Sequence, residues 1–318
     1  MKKNLSIIAS IIIIISAVII TSFCHSDSDM KRLNENSELI VLKKLATQGD
    51  VKAQTALGFA YGNGNGTARN YIKAKYWYEK AAQQDYAPAQ FNLGLLYENG
   101  WTGNNDFILA REYYRKAANQ GFVNAQINLA TLFINGKGGE VDYYQARELF
   151  LKAAESNNPV AMYNLGYIYN YGLGLHRDDV QAVKWYSQAA DLGSMSARNS
   201  LALFYAKGLG NLPVDKTKAL KLISTSACQG YSVAQNNLGI LYFDGTDELP
   251  KDYLQSYAWF SVAFHNGFKE AGDLRNIIMK KLKGQEIEKA KELSNQYIKN
   301  YAPSLNMDGT DKECEDLQ

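Results

Sequence analysis

The sequence predicts an all-α fold, a right-handed superhelical solenoid of about six helix–turn–helix repeats with capping helices at its ends. Two observations lead to this prediction. A phrase whose fullest form is Ala-Gln-x-Asn-Leu-Gly-x-x-Tyr-x-x-Gly recurs at steps of 36 or 37 residues along the chain. Its six copies begin at Ala53, Ala89, Ala125, Ala161, Ala197 and Ala234, and a degenerate seventh begins at Ala271. Within each period the apolar residues follow the spacing of one helix face, which indicates helices.

The second period illustrates the predicted repeat unit. The apolar residues between Ala89 and Tyr97 share one face of a first helix, and Gly100 is placed to end that helix in a left-handed conformation. A second helix is predicted to start near Asp106 and to end at Gly121. The second helices close with large side chains followed by small ones. Because this stripe recurs at helical spacing in every period, we interpret it as core and not as a cofactor site.

The repeat phrase resembles the Sel-like repeat family, a variant of the tetratricopeptide repeat. One part of the match is Ala-x-x-x-Leu-Gly-x-x-Tyr-x-x-Gly-x-Gly, formed by Ala161, Leu165, Gly166, Tyr169, Gly172 and Gly174. The other part is the segment 73–82. The resemblance covers residues 39 to about 269. The departures are modest, since Ala130 and Ala202 replace the glycine of the phrase and Phe133 replaces its tyrosine. The resemblance implies a tetratricopeptide-like α-solenoid.

The N-terminus has the features of a targeting segment. Residues 1–4 are short and basic, and the sixteen residues from Leu5 to Ile20 are apolar apart from three serines. Such a segment is a cleaved secretory signal or an uncleaved membrane anchor, and both export the rest of the chain. Lipidation at Cys24 is a third alternative, which the preceding Thr21-Ser22-Phe23 matches only loosely. The expected location is therefore the periplasm or the exterior, with inner-membrane anchoring left open.

The resulting domain organisation has five parts. Residues 1–26 are the signal peptide or membrane anchor, and residues 27–37 are a polar linker. The repeat array extends over residues 38–268, with a lone second-type helix at its start. Residues 269–301 are predicted to form two charged, amphipathic capping helices, which solubilise the end of such an array. Residues 302–318 are predicted to be an acidic, disordered tail.

Composition and motifs argue against several classes of function. With 34 basic and 32 acidic residues the chain has a net charge of +2, so it lacks the basic surface expected of a nucleic-acid-binding protein. No His-Glu-x-x-His, Cys-x-x-Cys or Gly-x-Ser-x-Gly motif occurs, so we predict no metal, no cofactor and no catalytic residues. The three cysteines do not follow the repeat period. A Cys228–Cys314 bridge stays open in an oxidising compartment, although the spacing alone favours unpaired thiols.

The resemblance places a candidate binding site in a concave groove lined by the first helices. By helical phase, the groove positions lie two, three and six residues after the repeat alanine. The predicted binding residues are Phe59, Phe91, Asn92, Leu95, Ile127, Asn128, Thr131, Tyr163, Asn164, Tyr167, Asn199, Asn236 and Asn237. Exposed aromatic stripes mark protein interfaces, and the asparagines could hold a peptide backbone. The alternative is that these side chains are family consensus residues that bond and pack locally.

The sequence therefore predicts a non-enzymatic scaffold that is exported to the bacterial envelope and binds a protein or peptide in this groove. An immunity protein against a toxin delivered into the periplasm is the specific role that the resemblance suggests. Three alternatives stay open. They are a hydrolase acting on cell-wall or β-lactam substrates, an adaptor in envelope assembly or host interaction, and a membrane-tethered spacer. Contact with a membrane is expected only through the N-terminal segment.

Overall fold

The computed structural model describes residues 38–301 of the 318-residue chain. The predicted signal or anchor, the linker, the lipidation at Cys24 and the acidic tail lie outside these residues. Between residues 38 and 301 the chain forms fifteen α-helices and no strand, which confirms the all-α helix–turn–helix fold. The helices are α1 (38–47), α2 (Val51–Asn63), α3 (Tyr71–Ala82), α4 (Ala87–Asn99), α5 (Phe107–Asn119), α6 (Val123–Ile134), α7 (Tyr143–Ala154), α8 (Pro159–Tyr171), α9 (Asp179–Asp191), α10 (Met195–Lys207), α11 (Lys216–Cys228), α12 (Ser232–Asp244), α13 (Tyr253–His265), α14 (Ala271–Met279) and α15 (Gln285–Asn300).

The described chain divides into two compact units. The first ends at Glu140 and contains α1 to α6, and the second begins at Val141 and contains α7 to α15. In the first unit consecutive helices from α2 to α6 pack against each other, in the second unit consecutive helices from α7 to α14 do so, and α15 packs against α13. None of the helices between residues 38 and 301 is long and apolar enough to cross a membrane.

The recurring residues of the repeat phrase form the core of each unit. The six repeat alanines are all buried, and the leucine four residues after each alanine is buried as well. The glycine of the phrase faces an aromatic ring on the second helix of the same repeat. This holds for Gly58 and Tyr78, Gly94 and Tyr114, Gly166 and Tyr186, and Gly239 and Phe260. The absence of a side chain at these positions lets the two helices approach closely.

A buried glutamine joins one repeat to the end of the preceding one. The side-chain amide of Gln54 donates to the carbonyl of Ala46 at 3.1 Å, and that of Gln235 donates to the carbonyl of Ala227 at 2.9 Å. These carbonyls lie in the last turn of the preceding helix, and each also accepts from a backbone N–H three residues later, that of Gly49 or Gly230. The glutamine in the repeat phrase therefore links the start of one repeat to the end of the preceding helix.

The second helices share an N-cap that the sequence reasoning identified only at Asp106. In each case a side-chain oxygen accepts a hydrogen bond from a backbone N–H in the first turn of the helix. The caps are Asn70, Asp106, Asp142, Asp178, Asp215 and Asp252. Such a cap stabilises a helix by about 1 kcal/mol. The recurrence of Asp or Asn at the repeat period was the signal that could have located all six helix starts.

The last helix covers the end of the second unit. Tyr297 of α15 and Tyr301 directly after it pack against Trp259 of α13, with ring centroids 4.9 and 5.1 Å from the indole. These residues share a core cluster with Cys228, the last residue of α11. Cys228 is buried and disulfide-bonded. The expectation of an unpaired thiol at this position is therefore wrong, because sequence spacing does not report which residues the fold brings together.

Buried tyrosines make the free energy of unfolding depend on pH in the alkaline range. Burial raises the pKa of Tyr242 to about 12, and it also raises the pKa values of Tyr78, Tyr114 and Tyr186 above their usual range. In the unfolded chain these phenols ionise near pH 10, so only the unfolded state loses these protons just above that pH. The protonated phenols therefore contribute their full stability to the fold below about pH 10. This contribution is lost as the pH rises towards the pKa values that the phenols have in the folded protein.

We expect the free energy of unfolding to decrease between about pH 10 and 12, with Tyr242 contributing a slope of up to about 1.4 kcal/mol per pH unit. Urea denaturation at several pH values measures this slope, and Tyr242→Phe should reduce it. An identical slope for the wild type and Tyr242→Phe would contradict the prediction.

Candidate functional site

The candidate site consists of the positions two, three and six residues after each repeat alanine, here called the first-helix face. In the first unit these positions lie on α2, α4 and α6. Phe59 is 53% exposed, Thr131 is exposed, and Leu95 and Ile127 are half-buried. Phe91 is also half-buried, and its ring packs 5.7 Å from that of Tyr114 and 5.1 Å from that of Phe122. Phe91 is therefore largely a packing residue with one part at the surface.

In the first unit a chain of hydrogen bonds links two first helices through the buried Tyr114 of α5. The hydroxyl of Tyr114 donates to Oε2 of Glu98 at 2.6 Å, and the amide of Asn128 donates to the hydroxyl of Tyr114 at 3.1 Å. Burial, reinforced by Glu98, raises the pKa of Tyr114 far above its usual range, so the phenol stays protonated. Glu98 was not predicted as a site residue. It lies nine residues after Ala89, on the same side of the helix as the positions that were considered.

Tyrosines dominate the first-helix face of the second unit. Tyr167 is 37% exposed, Tyr171 is 62% exposed, and their ring centroids lie 4.5 Å apart. Tyr163 is half-buried, with its ring 5.7 Å from that of Tyr186. We call Tyr163, Tyr167 and Tyr171 the tyrosine cluster. Sequence reasoning missed Tyr171, although it follows Tyr167 by four residues and so lies on the same helix face.

The hydroxyl of Tyr163 lies in a polar environment formed by several parts of the second unit. Burial raises its pKa, and the neighbouring phenol of Tyr231 raises it further. The side chain of Ser200 is hydrogen-bonded to it, which lowers the pKa. Tyr167 and Tyr171 are also close enough to raise it. Several phenol groups therefore lie within electrostatic range of one another at this face.

Two aliphatic residues extend this face beyond the tyrosine cluster. Leu203 on α10 and Ile240 on α12 occupy the same repeat position as Tyr167, six residues after the repeat alanine. Both are exposed. The positions two, three and six after the alanine carry no charged side chain in α8, α10 or α12. At these three positions the second unit thus presents aromatic, aliphatic and uncharged polar side chains, whereas the position of Tyr171 is occupied by the exposed Lys207 in α10 and Asp244 in α12.

The predicted asparagines mostly bond within their own unit. The amide of Asn164 donates to the backbone carbonyl of Val160 at 2.8 Å, and that of Asn237 donates to Oδ1 of Asn199 at 2.9 Å. Asn236 is buried, with 6% of its surface exposed, and Asn92 is half-buried. Together with the bond from Asn128 to Tyr114, these contacts describe local bonding, the alternative that sequence reasoning left open. The aromatic and aliphatic residues are therefore the better candidates for contact with a partner.

A second exposed apolar row lies at the start of the second helices. It consists of a bulky residue at the second position of α3, α5, α7 and α9, and it recurs every 36 residues. Its members are Ile72 and Ile108 in the first unit, and Tyr144 and Val180 in the second. Sequence reasoning did not identify this row. These residues provide exposed side chains away from the first-helix face, and Tyr144 is 65% exposed.

Two open clefts accompany these surfaces. The cleft in the first unit has a volume of about 660 Å³ and lies where α1 meets α2, with Phe59 in its wall. The other residues around it are Glu38, Leu39, Leu42, Ala56, Ala60 and residues 64–66. The cleft in the second unit, about 640 Å³, includes Met162 and Trp185. Between residues 38 and 301, no group of three or more His, Cys, Asp or Glu side chains is arranged to hold a metal ion.

The repeats match a known family along most of the array. The Sel1 repeat matches residues 51–86, 87–122, 123–158, 159–194, 196–231 and 232–268. The chain belongs to the Sel1 repeat family. Each of the six matched segments contains one repeat alanine near its start. No curated protein sequence is a significant match to this chain.

Solved Sel1 repeat structures share the fold. The protective antigen c5321 of uropathogenic Escherichia coli strains, which displays an SLR fold, is 34% identical over 85% of this chain, with a TM-score of 0.77. This chain covers 58% of the c5321 structure. A Sel1 repeat protein from Oxalobacter formigenes is 33% identical over 73% of this chain and 96% of its own, with a TM-score of 0.65. Immunity protein Pa5087 from Pseudomonas aeruginosa is 23% identical over 68% of this chain and 80% of its own. Its TM-score of 0.46 is too low to indicate a shared function.

Proposed function

We propose that this protein is a binding scaffold of the bacterial envelope, and that a protein partner docks on the first-helix face of the second unit. The observation that carries this proposal is the exposure of four aromatic and aliphatic side chains on the first helices of this unit, namely Tyr167, Tyr171, Leu203 and Ile240. A contiguous exposed apolar surface is a common mark of a protein interface. Tyrosine is among the residues most often responsible for binding energy in such interfaces.

The chemistry of the face defines the kind of partner segment that fits. Aromatic rings and aliphatic side chains favour apolar groups of the partner, because contact removes both surfaces from water. The phenol hydroxyls of the tyrosine cluster can donate to or accept from a partner's backbone. Since Tyr167, Leu203 and Ile240 themselves carry no charge, contact with these side chains should depend little on salt. We therefore expect an uncharged segment with apolar side chains to occupy this face.

Two observations support export of the chain. Residues 1–20 combine a basic start with a long apolar stretch, which is typical of export signals and membrane anchors. Cys228 is disulfide-bonded, and such bonds persist mainly in oxidising compartments such as the periplasm. We therefore propose the periplasm or the cell surface as the location of this scaffold.

Within this proposal, the specific role is immunity against a toxin that is delivered into the periplasm. A scaffold in that compartment meets such a toxin directly, and exposed aromatic and aliphatic side chains suit a tight protein complex. This role requires the purified chain to inhibit the captured partner. A partner with a role in assembly or host contact would instead indicate an adaptor. Hydrolysis of peptidoglycan or β-lactams by the purified chain would indicate an enzyme.

The test is affinity capture from the organism's own envelope with the wild type, a double variant of the proposed site and a control variant of another surface. Tyr167→Ala combined with Tyr171→Ala removes the exposed rings, and Tyr144→Ala removes an exposed ring from another surface of the same unit. We expect the double variant to bind the captured protein about 100-fold more weakly, since two interface tyrosines each contribute more than about 1 kcal/mol. Tyr144→Ala should bind like the wild type. Equal affinity of all three proteins would overturn the proposed site.

A further inference from the structure

We propose that the cleft between α7 and α9 is a further docking site, which binds the last turn of a helix of a protein partner through an aromatic ring. The chain itself uses this mode of binding at the equivalent groove between α11 and α13, where the occupant is the end of α15. The proposed site is formed mainly by second helices. It therefore does not depend on the function proposed for the first-helix face.

The open cleft lies between two second helices that are neighbours in the array. Its volume of about 640 Å³ falls in the range of about 300–1,000 Å³ that ligand pockets have. Trp185 of α9 lines it and is half-buried. Met162 of α8 also lines it, and 6% of this residue is exposed. The cleft therefore offers an indole and a thioether to an apolar side chain.

The same repeat positions form a covered groove between α11 and α13. The two sites can be aligned by the aspartate N-caps of α7, α9, α11 and α13. In this alignment Trp185 corresponds to Trp259, and Gln188 corresponds to Val262. Within the second unit, tryptophan stands at this position in α9 and α13, whereas α11 has Leu222. The covered groove therefore shows how the tryptophan of such a site is used.

The end of α15 fills the covered groove. The ring of Tyr301 stacks on Trp259 with centroids 5.1 Å apart and an angle of 22° between the planes, and the ring of Tyr297 packs at 4.9 Å. The side-chain amide of Gln235 donates to the carbonyl of Tyr301 at 3.0 Å. Trp259 is fully buried as a result, whereas Trp185 is half-buried. The surface that α15 covers at Trp259 is thus left open at Trp185.

The occupant of the open cleft must come from another molecule, because α15 is packed against α13. Met162 takes the position of Gln235 in the open cleft, so the donor to the carbonyl of the occupant is replaced by a thioether. Methionine sulfur makes favourable contacts with aromatic rings. The open cleft therefore relies on the ring of its occupant more than the covered groove does.

The charge at the rim defines the partner further. The exposed Glu155 takes the position of Cys228, so a lysine or arginine beside the aromatic ring of the partner would complement it. The end of α15 has this combination, with Lys299 between Tyr297 and Tyr301. We therefore expect a partner helix whose last turn carries a tyrosine and a basic residue.

A synthetic peptide with the sequence of residues 285–301 is the probe for this site. Benzoylphenylalanine replaces its last tyrosine, and the full exported chain is the target. We expect photoadducts on the residues of the open cleft, such as Met162, Trp185 and Gln188. The absence of adducts would overturn the proposal. So would adducts confined to the surroundings of Trp259, where the peptide would have exchanged with α15.

The affinity of the fluorescently labelled peptide for three variants tests the roles of the residues. Trp185→Ala should bind about 10-fold more weakly, because it removes the stacking ring. Val180→Ala, which truncates a 47% exposed residue of α9 outside the cleft, should bind like the wild type. Met162→Gln should bind about 5-fold more tightly, because it restores the donor that Gln235 supplies.

The gain expected for Met162→Gln protects the test against a folding defect, since a misfolded variant does not bind more tightly. Equal affinity of Trp185→Ala and the wild type would overturn the proposal. Affinity of Met162→Gln no higher than that of the wild type would do the same, because the open cleft would then not hold the peptide as the covered groove holds α15.

Discussion

Replacing Gly166 by alanine is expected to lower the free energy of unfolding of the second unit by about 2 kcal/mol. A Cβ atom at this position would lie 2.5 Å from Cδ1 and 2.6 Å from Cε1 of Tyr186. These distances are far below van der Waals contact, and Tyr186 is fully buried, so its ring has little room to move. The clash outweighs the gain of up to about 1 kcal/mol that alanine brings to a helix interior. Urea denaturation followed by circular dichroism measures the change.

Gly62 provides the matched control for this experiment. It also lies in a helix, but a Cβ there would meet only the Cβ of Ala74 at an ordinary distance of 3.7 Å. Gly62→Ala should therefore leave the stability unchanged or raise it by up to about 1 kcal/mol. If Gly166→Ala were as stable as Gly62→Ala, close packing of the repeat glycine against the ring would not be what selects glycine at this position.

Truncating Trp259 is expected to have the largest effect on stability, a loss of about 3–5 kcal/mol for Trp259→Ala. The indole is fully buried in a cluster that combines α11, α12, α13 and α15, and it packs against Tyr297 and Tyr301. Its removal leaves a cavity between the last repeat and the helix that covers it. Because the loss is local, α15 should also exchange its amide protons faster. Denaturation and hydrogen exchange measure the two effects.

Trp101 is the control for the size of the side chain. It is exposed and stacks on Tyr71 at a centroid distance of 5.3 Å, so Trp101→Ala should cost only about 1 kcal/mol. A loss for Trp259→Ala as small as that for Trp101→Ala would mean that the C-terminal helix does not complete the core of the second unit.

The repeated helices could be predicted from the sequence because their cause is local and periodic. The alanine spacing fixes the repeat length, helical phase gives the buried face, and glycine at the helix ends gives the turns. The N-caps illustrate how a periodic signal can be overlooked, since Asp recurs at the start of most second helices and only Asp106 was identified. All of these features depend on residues that are close in sequence.

The candidate site could be predicted only in part because the contacts of its residues come from other helices. Helical phase places Phe91 and Tyr163 near the surface, but the rings of Tyr114 and Tyr186 decide how much of each is buried. The side chain of Asn237 bonds to Asn199 of the preceding repeat, whereas the side chain of the adjacent Asn236 is buried. Helical phase did not distinguish these two asparagines. The disulfide at Cys228 is a long-range contact, for which sequence spacing carries no signal.

A photoreactive amino acid at position 167 of the exported chain tests the central claim most directly. The same residue at position 144 is the control, because Tyr144 is more exposed than Tyr167 and belongs to the same unit. We predict a covalent adduct with one envelope protein from position 167 and none from position 144. Equal adducts from both positions, or an adduct only from position 144, would contradict binding at the first-helix face.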